Sequence, residues 1–400
     1  MQSNYDFAVG ARRLAKVEAS PIRAILDRAT AMRSKGLPVI PFSAGEPDFN
    51  TPSDIKEATI EAICNNQTHY TSNRGYPALR QVLAGYIRKE TGIGYDPETE
   101  IIVTSSAAEA LNNALFTFVD EGDEVIVLSP AFVSYKCLVN MCGATYVDVP
   151  LDAKNGFQIN LNAVRAAISD KTKMLMLNNP SNPTGAVFGY EALKALCELA
   201  VEHNFMILAD EIYSRLTYED AEFTSIASFP GMKDRAIIIS GFSKTFAMTG
   251  WRIGYIAAAE RLAVRILRTH QYSTTCSPTF IQAGLAKAME SPNTQKQVEE
   301  MIAAFAGRRR IMLDGLDAID GLSYVTPYGA FYVMVDVSAL GLNGAQFCEK
   351  LLSEKYVATV PAAGMGSGCD DFVRISYATS EENIKEGVRR IKELVEDLKK

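Results

Sequence analysis

An apolar run at 205–209 leads straight into Asp210-Glu211-Ile212-Tyr213, which sets a carboxylate at the carboxyl end of a buried strand. Open α/β sheets bind their ligands at that edge. A carboxylate held there away from water needs a cation beside it. The next strand, closing at Ser240, passes into Gly241-Phe242-Ser243-Lys244-Thr245-Phe246-Ala247-Met248-Thr249-Gly250-Trp251-Arg252-Ile253-Gly254, where glycine and small residues flank a lysine and an arginine follows two turns' worth of chain later. Together these residues offer both signs of charge at one sheet edge. Read singly, each has an ordinary alternative: Lys244 as a solvated surface lysine, Asp210 as a turn or helix cap, Arg252 as a structural ion-pair partner.

The elements that must position them are legible from periodicity. Short apolar runs at 101–104, 124–128, 173–177, 205–209, 236–240 and 252–257 alternate with helical stretches, and several are apolar at consecutive positions, as strands covered on both faces are. The fold class is α/β, with a mostly parallel wound sheet. One crossover is plain: 190–203 carries helical spacing and Asn204 stands as its C-cap. In the last hundred residues the order changes to helix 294–317, strands 323–326 and 330–335, helix 344–355, strand 372–376 and helix 381–399, a smaller α+β unit. A helix expected over 21–35 precedes the large sheet and belongs to no crossover, so it is expected to pack with that unit. The expected division is a large domain at 45–290 and a small one from 1–44 with 291–400.

Composition narrows the classes. Of 400 residues, 48% are hydrophobic and 22% charged, with 40 basic and 47 acidic side chains and a net charge of −7. No basic excess suits nucleic acid as a partner. The longest apolar runs are strand-sized, far from the roughly 20 residues a membrane helix needs. The polar, acid-bearing start at 1–11 does not read as a secretory signal, so a cytoplasmic location is expected. Seven scattered cysteines, with no Cys-x-x-Cys, read as reduced thiols, and three distant histidines give no ligand spacing for a metal.

The run 241–254 fits at every position the attachment-site pattern of the class I aminotransferases, the fold-type-I pyridoxal phosphate enzymes. Five further segments support the resemblance, in family order: Ala44-Gly45-Glu46-Pro47-Asp48-Phe49, Tyr70-Thr71-Ser72-Asn73, Asn178-Asn179-Pro180-Ser181-Asn182-Pro183-Thr184-Gly185, Asp210-Glu211-Ile212-Tyr213 and Phe372-Val373-Arg374-Ile375-Ser376. It covers the chain from about residue 20 to the C-terminus.

The resemblance implies an enzyme that moves an amino group between an amino acid and a 2-oxo acid with pyridoxal 5'-phosphate as cofactor. Lys244 is then the amine that forms the internal Schiff base and shuttles the proton. Asp210 pairs with the pyridine nitrogen and keeps it protonated, making the ring an electron sink. Tyr213 and Asn182 match positions that hydrogen-bond the phenolic oxygen. Phe132, after Ser129-Pro130-Ala131, matches the aromatic that stacks on the ring. Strand 101–104 opens through Ser105-Ser106-Ala107-Ala108 into a helix whose free N–H groups suit the phosphate. Many relatives carry glycine at the place of Ser106 and lysine, serine or threonine at that of Ala108, so here the backbone donors of Ala107 and Ala108 carry more of the binding. Arg252 neutralises the phosphate, with Ser243 and the backbone of Gly241 on the same loop. Tyr70 resembles the tyrosine that reaches the phosphate from the neighbouring subunit, which implies a homodimer. Arg374 matches the arginine that grips the substrate carboxylate with a planar fork, with a backbone contact from Gly45.

Three rivals remain to be separated. A carbon-sulfur lyase of the same fold shares the cofactor residues and is the alternative reading. A nicotinamide oxidoreductase is suggested only by the α/β alternation and lacks a Gly-x-Gly-x-x-Gly after a strand. A non-catalytic sensing module would have no need of both Lys244 and Asp210. Arg23 and Arg74 fall in segments near the expected substrate entrance, where either could meet a second carboxylate or simply be an exposed charge. The run 269–275 lacks the arginine that dicarboxylate-specific relatives of one subgroup place there. Aromatic, alanine and aspartate donors stay open.

Overall fold

The computed structural model describes residues 10–17 and 21–400, so residues 1–9 and 18–20 of the expected small unit lie outside the described residues. Its larger sheet has seven strands: β1 Ile101–Thr104, β2 Glu124–Ser129, β3 Thr145–Pro150, β4 Thr172–Asn178, β5 Met206–Asp210, β6 Ala236–Gly241 and β7 Gly254–Ala258, in the order β1-β7-β6-β5-β4-β2-β3. Four of the pairings are parallel. Only β7 is reversed, lying antiparallel to both β1 and β6. The expected α/β fold with a mostly parallel sheet is the one observed. Two details differ. β3 was not anticipated, because it is a half-exposed edge strand with a charged Asp148 in it. Arg252 belongs to a left-handed turn at φ 56° and not to β7, which starts at Gly254.

Alternation along each strand explains the long apolar runs. Ile101, Val103, Ile126, Leu128, Leu175, Leu177, Ile207 and Ile238 face one core, while Ile102, Val125, Val127, Met174, Met176, Leu208, Ile237 and Ile239 face another. With both faces buried, a strand such as β1 has no polar side to show, and each of Ile101, Ile102 and Val103 is fully buried. Burial of that kind stabilises by roughly 1.5–3 kcal/mol per side chain.

A second, antiparallel sheet has the order β10-β11-β9-β8, built from β8 Ser323–Val325, β9 Tyr332–Asp336, β10 Val360–Pro361 and β11 Phe372–Ser376. Helices Pro292–Asp317, Gly344–Lys355 and Glu381–Leu398 flank it. Their starts are set by capping chemistry: Ser291 and Ser380 accept from the backbone three residues on, and Asn343 with Gln346 forms a reciprocal capping box. Helix Tyr190–Glu202 ends one residue sooner than expected, with His203 as its C-cap and Asn204 taking the left-handed turn at φ 55°.

The helix Pro21–Ser34 packs through Ala29 against Leu352 and Ala358, and Arg28 pairs with Glu349, which is the expected placement beside the C-terminal part. The two sheets meet along a seam at Gly185, whose carbonyl accepts from the N–H groups of both Tyr328 and Gly329 at 2.8 Å. Gly185 sits at φ 68°, and a Cβ there would come within 2.3 Å of Pro327, so only glycine fits.

Candidate active site

Strands β1, β2, β4, β5 and β6 all run in one direction, so their carboxyl ends share one edge. Ser105 and Ser106 follow β1, Phe132 follows β2, Asn178 ends β4, Asp210 ends β5 and Lys244 follows β6. Because β7 is reversed, its amino end lies at that same edge, which brings Arg252, two residues before it, to the same place. A cleft of about 480 Å³ opens there, and its walls include Lys244, Asp210, Tyr213, Asn182, Phe132, Ala107, Ala108, Ser243, Arg252, Arg374 and Gly45.

Asp210 is buried at the cleft floor. Tyr135 donates to its Oδ2 at 2.7 Å, and the Ile212 N–H donates to Oδ1 at 3.2 Å. Burial nevertheless pushes its carboxyl up to about 6, against the pull of those two donors and of Lys244. Such a carboxylate lacks a contacting cation. Lys244 is driven the opposite way, down to about 8, chiefly by burial, with Arg374 and Arg252 adding to the fall and Glu46 and Asp210 opposing it. Its Nζ donates to the carbonyl of Gly45. An amine shifted this far is partly neutral near pH 7, as a nucleophile must be.

Arg374 lies in the middle of β11 and not at its end. Nη1 donates to Asn182 Oδ1 and Nη2 to the Ser43 carbonyl, each at 3.1 Å, and the guanidinium stands 4.5 Å over the Tyr332 ring. Its Nε is buried without a protein partner, a donor that a carboxylate in the cleft could meet. Asn182 is fixed by its own N–H on Asn178 Oδ1 at 2.7 Å. Tyr213 reaches the Tyr332 hydroxyl at 3.0 Å, and burial raises its phenol well above the usual range, so it is a neutral hydrogen-bonding group. Gly45 also lines the cleft. Its carbonyl faces Lys244, so a carboxylate contact from Gly45 falls to its N–H.

Opposite them, helix Ala107–Phe118 presents its first N–H groups at the cleft wall. Gly254 lets β7 pass beneath this turn: a Cβ at 254 would stand 2.6 Å from the Ala107 nitrogen. These groups fit a planar, ring-nitrogen-bearing aldehyde with a phosphate tail: an amine, a carboxylate awaiting a cation, an aromatic wall at Phe132, and N–H donors with Arg252 at the far end.

Several expected members are elsewhere. Gly241 ends β6 packed against Gly254, where a Cβ would meet the Gly254 Cα at 2.9 Å, and does not line the cleft. Arg74 is held away by its bond to the Thr99 carbonyl at 2.8 Å. Tyr70, expected to serve a neighbouring subunit, is 86% exposed and outside this chain's own cleft. Arg23 does line the mouth, beside Ile22 and Leu26. Two contributors were missed: Tyr135, one helical turn past Phe132, and Tyr332, which reads from sequence as a core strand residue.

The match to known proteins agrees with this geometry. The family model for aminotransferase class I and II covers residues 38–391. An aspartate aminotransferase of Pyrococcus abyssi is 39% identical over 387 residues, 97% of this chain and 98% of that one. An aromatic-amino-acid aminotransferase of Thermococcus litoralis is 38% identical over 97% of this chain and 98% of its own. The solved structure of Thermus thermophilus aspartate aminotransferase with maleate superposes with a TM-score of 0.92 at 38% identity, covering 96% of this chain and 99% of that one.

Proposed function

The chain belongs to the class I and II aminotransferases, enzymes that use pyridoxal 5'-phosphate to pass an amino group between an amino acid and a 2-oxo acid, and from that premise we propose the roles of its residues. When bound, the cofactor supplies an electron sink that makes the substrate Cα–H acidic. Lys244 would hold the cofactor covalently through Nζ, and its freed amine would take the proton from the substrate Cα as the general base and deliver it to the cofactor's C4' carbon as the general acid. Asp210 holds a proton on the ring nitrogen, and Tyr135 holds Asp210. Tyr213 and Asn182 donate to the phenolic oxygen, and Phe132 supports the ring face. The N–H groups of Ala107 and Ala108, with Ser243 and Arg252, bind the phosphate. Arg374 orients the substrate through its α-carboxylate, with the N–H of Gly45 beside it.

The observation that carries this assignment is the convergence of Lys244, Asp210 and Arg374 on one cleft. The large unit at 45–290 then holds the cofactor, and the small unit, 1–44 with 291–400, supplies Arg374. A homodimer belongs to the proposal, because the exposed Tyr70 can serve a phosphate only in a neighbouring subunit's cleft. So does a cytoplasmic location, which suits the seven unpaired cysteines. Among the described residues no helix is long and apolar enough to cross a membrane.

For the donor we propose aromatic and dicarboxylic amino acids. The apolar Ile22 and Leu26 line the cleft beside Arg23, and relatives named for aspartate and for aromatic amino acids match the chain at 39% and 38% identity. A panel of amino acids added to holoenzyme, followed by the cofactor's visible absorbance and then by 2-oxo acids on the aminated form, tests it. Aspartate and an aromatic donor should each bleach the absorbance, and a 2-oxo acid should restore it. Ammonia and pyruvate released from cysteine with no 2-oxo acid present would instead mark a lyase.

A further inference from the structure

The turn that presents the N–H groups of Ala107 and Ala108 is strained. Ser106 stands at φ 92°, ψ 161°, a region that glycine occupies freely and other residues adopt only when their surroundings force it. Something must hold it there. The candidate is Glu109, the third residue of helix Ala107–Phe118. A carboxylate in that position would ordinarily compete with a bound anion for the helix N-terminus. Here it is engaged away from the cleft: Ser106, Ala107 and Ala108 line the cavity and Glu109 does not.

Its two oxygens are fully engaged. Oε2 accepts the Ser105 N–H at 2.6 Å, while Oε1 accepts from Asn113 Nδ2 at 2.6 Å and lies 2.8 Å from His270 Nδ1. His270 is completely buried. The bond with His270 and the donors from Ser105 and Asn113 lower the Glu109 carboxyl despite partial burial, so it is ionised near neutrality and accepts only. His270 therefore presents its N–H at Nδ1. On the other side of the turn, Thr104 Oγ1 donates to the Ser106 carbonyl at 3.0 Å, and the peptide between Ser106 and Ala107 lies so close over Gly254 that a Cβ there would stand 2.7 Å from the Ser106 carbonyl carbon.

We propose that Glu109, seated by His270 and Asn113, is a positioning residue that clamps the Ser105 N–H and thereby holds Ser106 in its glycine-like conformation, so that the Ala107 and Ala108 N–H groups aim at the cofactor phosphate. The clamp does at this turn what a glycine at 106 would do without help. It rests on the assignment of this turn to the phosphate, and its test separates the two.

The apoenzyme is titrated with pyridoxal 5'-phosphate and, separately, with pyridoxal, which has the ring and aldehyde but no phosphate; binding is read from Trp251, the single tryptophan, next to Arg252. Wild type should prefer the phosphorylated form. Glu109→Ala should weaken that form by about tenfold, equivalent to about 1.4 kcal/mol, and leave pyridoxal within about twofold. Ser106→Gly removes the strain, so Glu109→Ala placed in the Ser106→Gly background should cost about twofold or less. If Glu109→Ala does not fold, Glu109→Gln, which preserves the volume and an oxygen acceptor, should show the same selective loss at smaller size.

Equal losses for both ligands, or a Glu109 effect undiminished in the Ser106→Gly background, overturn the clamp. If wild type itself binds the two ligands equally, the phosphate assignment fails first and the clamp with it. If wild type discriminates and the Glu109 variants lose nothing, the clamp alone fails.

Discussion

The free amine of Lys244 in the apoenzyme should titrate near pH 8. Burial is the main cause of its depressed pKa, Arg374 and Arg252 lower it further, and Glu46 is the strongest opposing influence. At pH 7 a group titrating at about 8 is neutral in roughly a tenth of molecules, whereas an ordinary lysine near 10.4 is neutral in only about one in two thousand or fewer. The sign is fixed: the nucleophile is the deprotonated form, so reactivity rises with pH and levels off above about 9. Glu46→Gln removes a carboxylate that favours the charged form, so its midpoint should move below that of wild type. At pH 7 the gain is bounded at roughly tenfold, because the neutral fraction cannot exceed one. Competitive acetylation of the apoenzyme with isotopically labelled acetic anhydride measures this directly. The Lys244 peptide is quantified by mass spectrometry from pH 6 to 10 against the surface residue Lys296. A midpoint above about pH 9.5, or an upward move in Glu46→Gln, would refute the account of burial winning over Glu46 and Asp210.

Asp210→Asn should lower kcat by roughly a hundredfold or more through loss of the ring-nitrogen partner, yet stabilise the apoenzyme at pH 8. The buried carboxyl titrates at about 6 when folded, and its contribution to stability is present in full below about pH 4 and lost as pH rises through 6. The gain from the asparagine is on the order of 2–3 kcal/mol, and denaturant melts should show the gap closing between pH 6 and 4. Tyr135→Phe removes the donor to Asp210 Oδ2 and should raise that carboxyl above about 6, visible by carbon NMR of labelled aspartate, with kcat lowered by roughly tenfold. An unmoved Asp210 titration would count against it. Arg374→Lys keeps the charge and loses the fork, so KM for the amino acid should rise by roughly ten- to a hundredfold while cofactor binding holds. Steady-state kinetics beside cofactor titration separates the two.

What could be read in advance follows from what leaves a local trace. Consecutive apolar residues in β4, β5 and β6 announce strands buried on both faces, and Asp210 and Lys244 sit at their ends in plain sight. Strand direction leaves no such trace. The reversal of β7 goes with its insertion between β6 and the far earlier β1, and it explains why Arg252 stands at the carboxyl edge although it precedes its strand. β3 hid for a different reason: its exposed edge alternates weakly and carries Asp148. Tyr135 and Tyr332 went unnoticed because a buried tyrosine has the same local signature whether its hydroxyl meets a carboxylate in the cleft or an ordinary partner. The placement of Arg74 likewise turns on one bond to Thr99, which no spacing rule foretells.

The seam at Gly185 gives the molecule a kind of caliper. One jaw, the large sheet, leads into the Lys244 amine; the other, the small antiparallel sheet, carries the Arg374 guanidinium. A side chain wedged at that joint would come within 2.3 Å of Pro327 and 2.8 Å of the Tyr332 carbonyl, and so would push on the strand whose Tyr332 ring lies under the Arg374 guanidinium. The seat of that guanidinium is thus open to disturbance from outside the cleft.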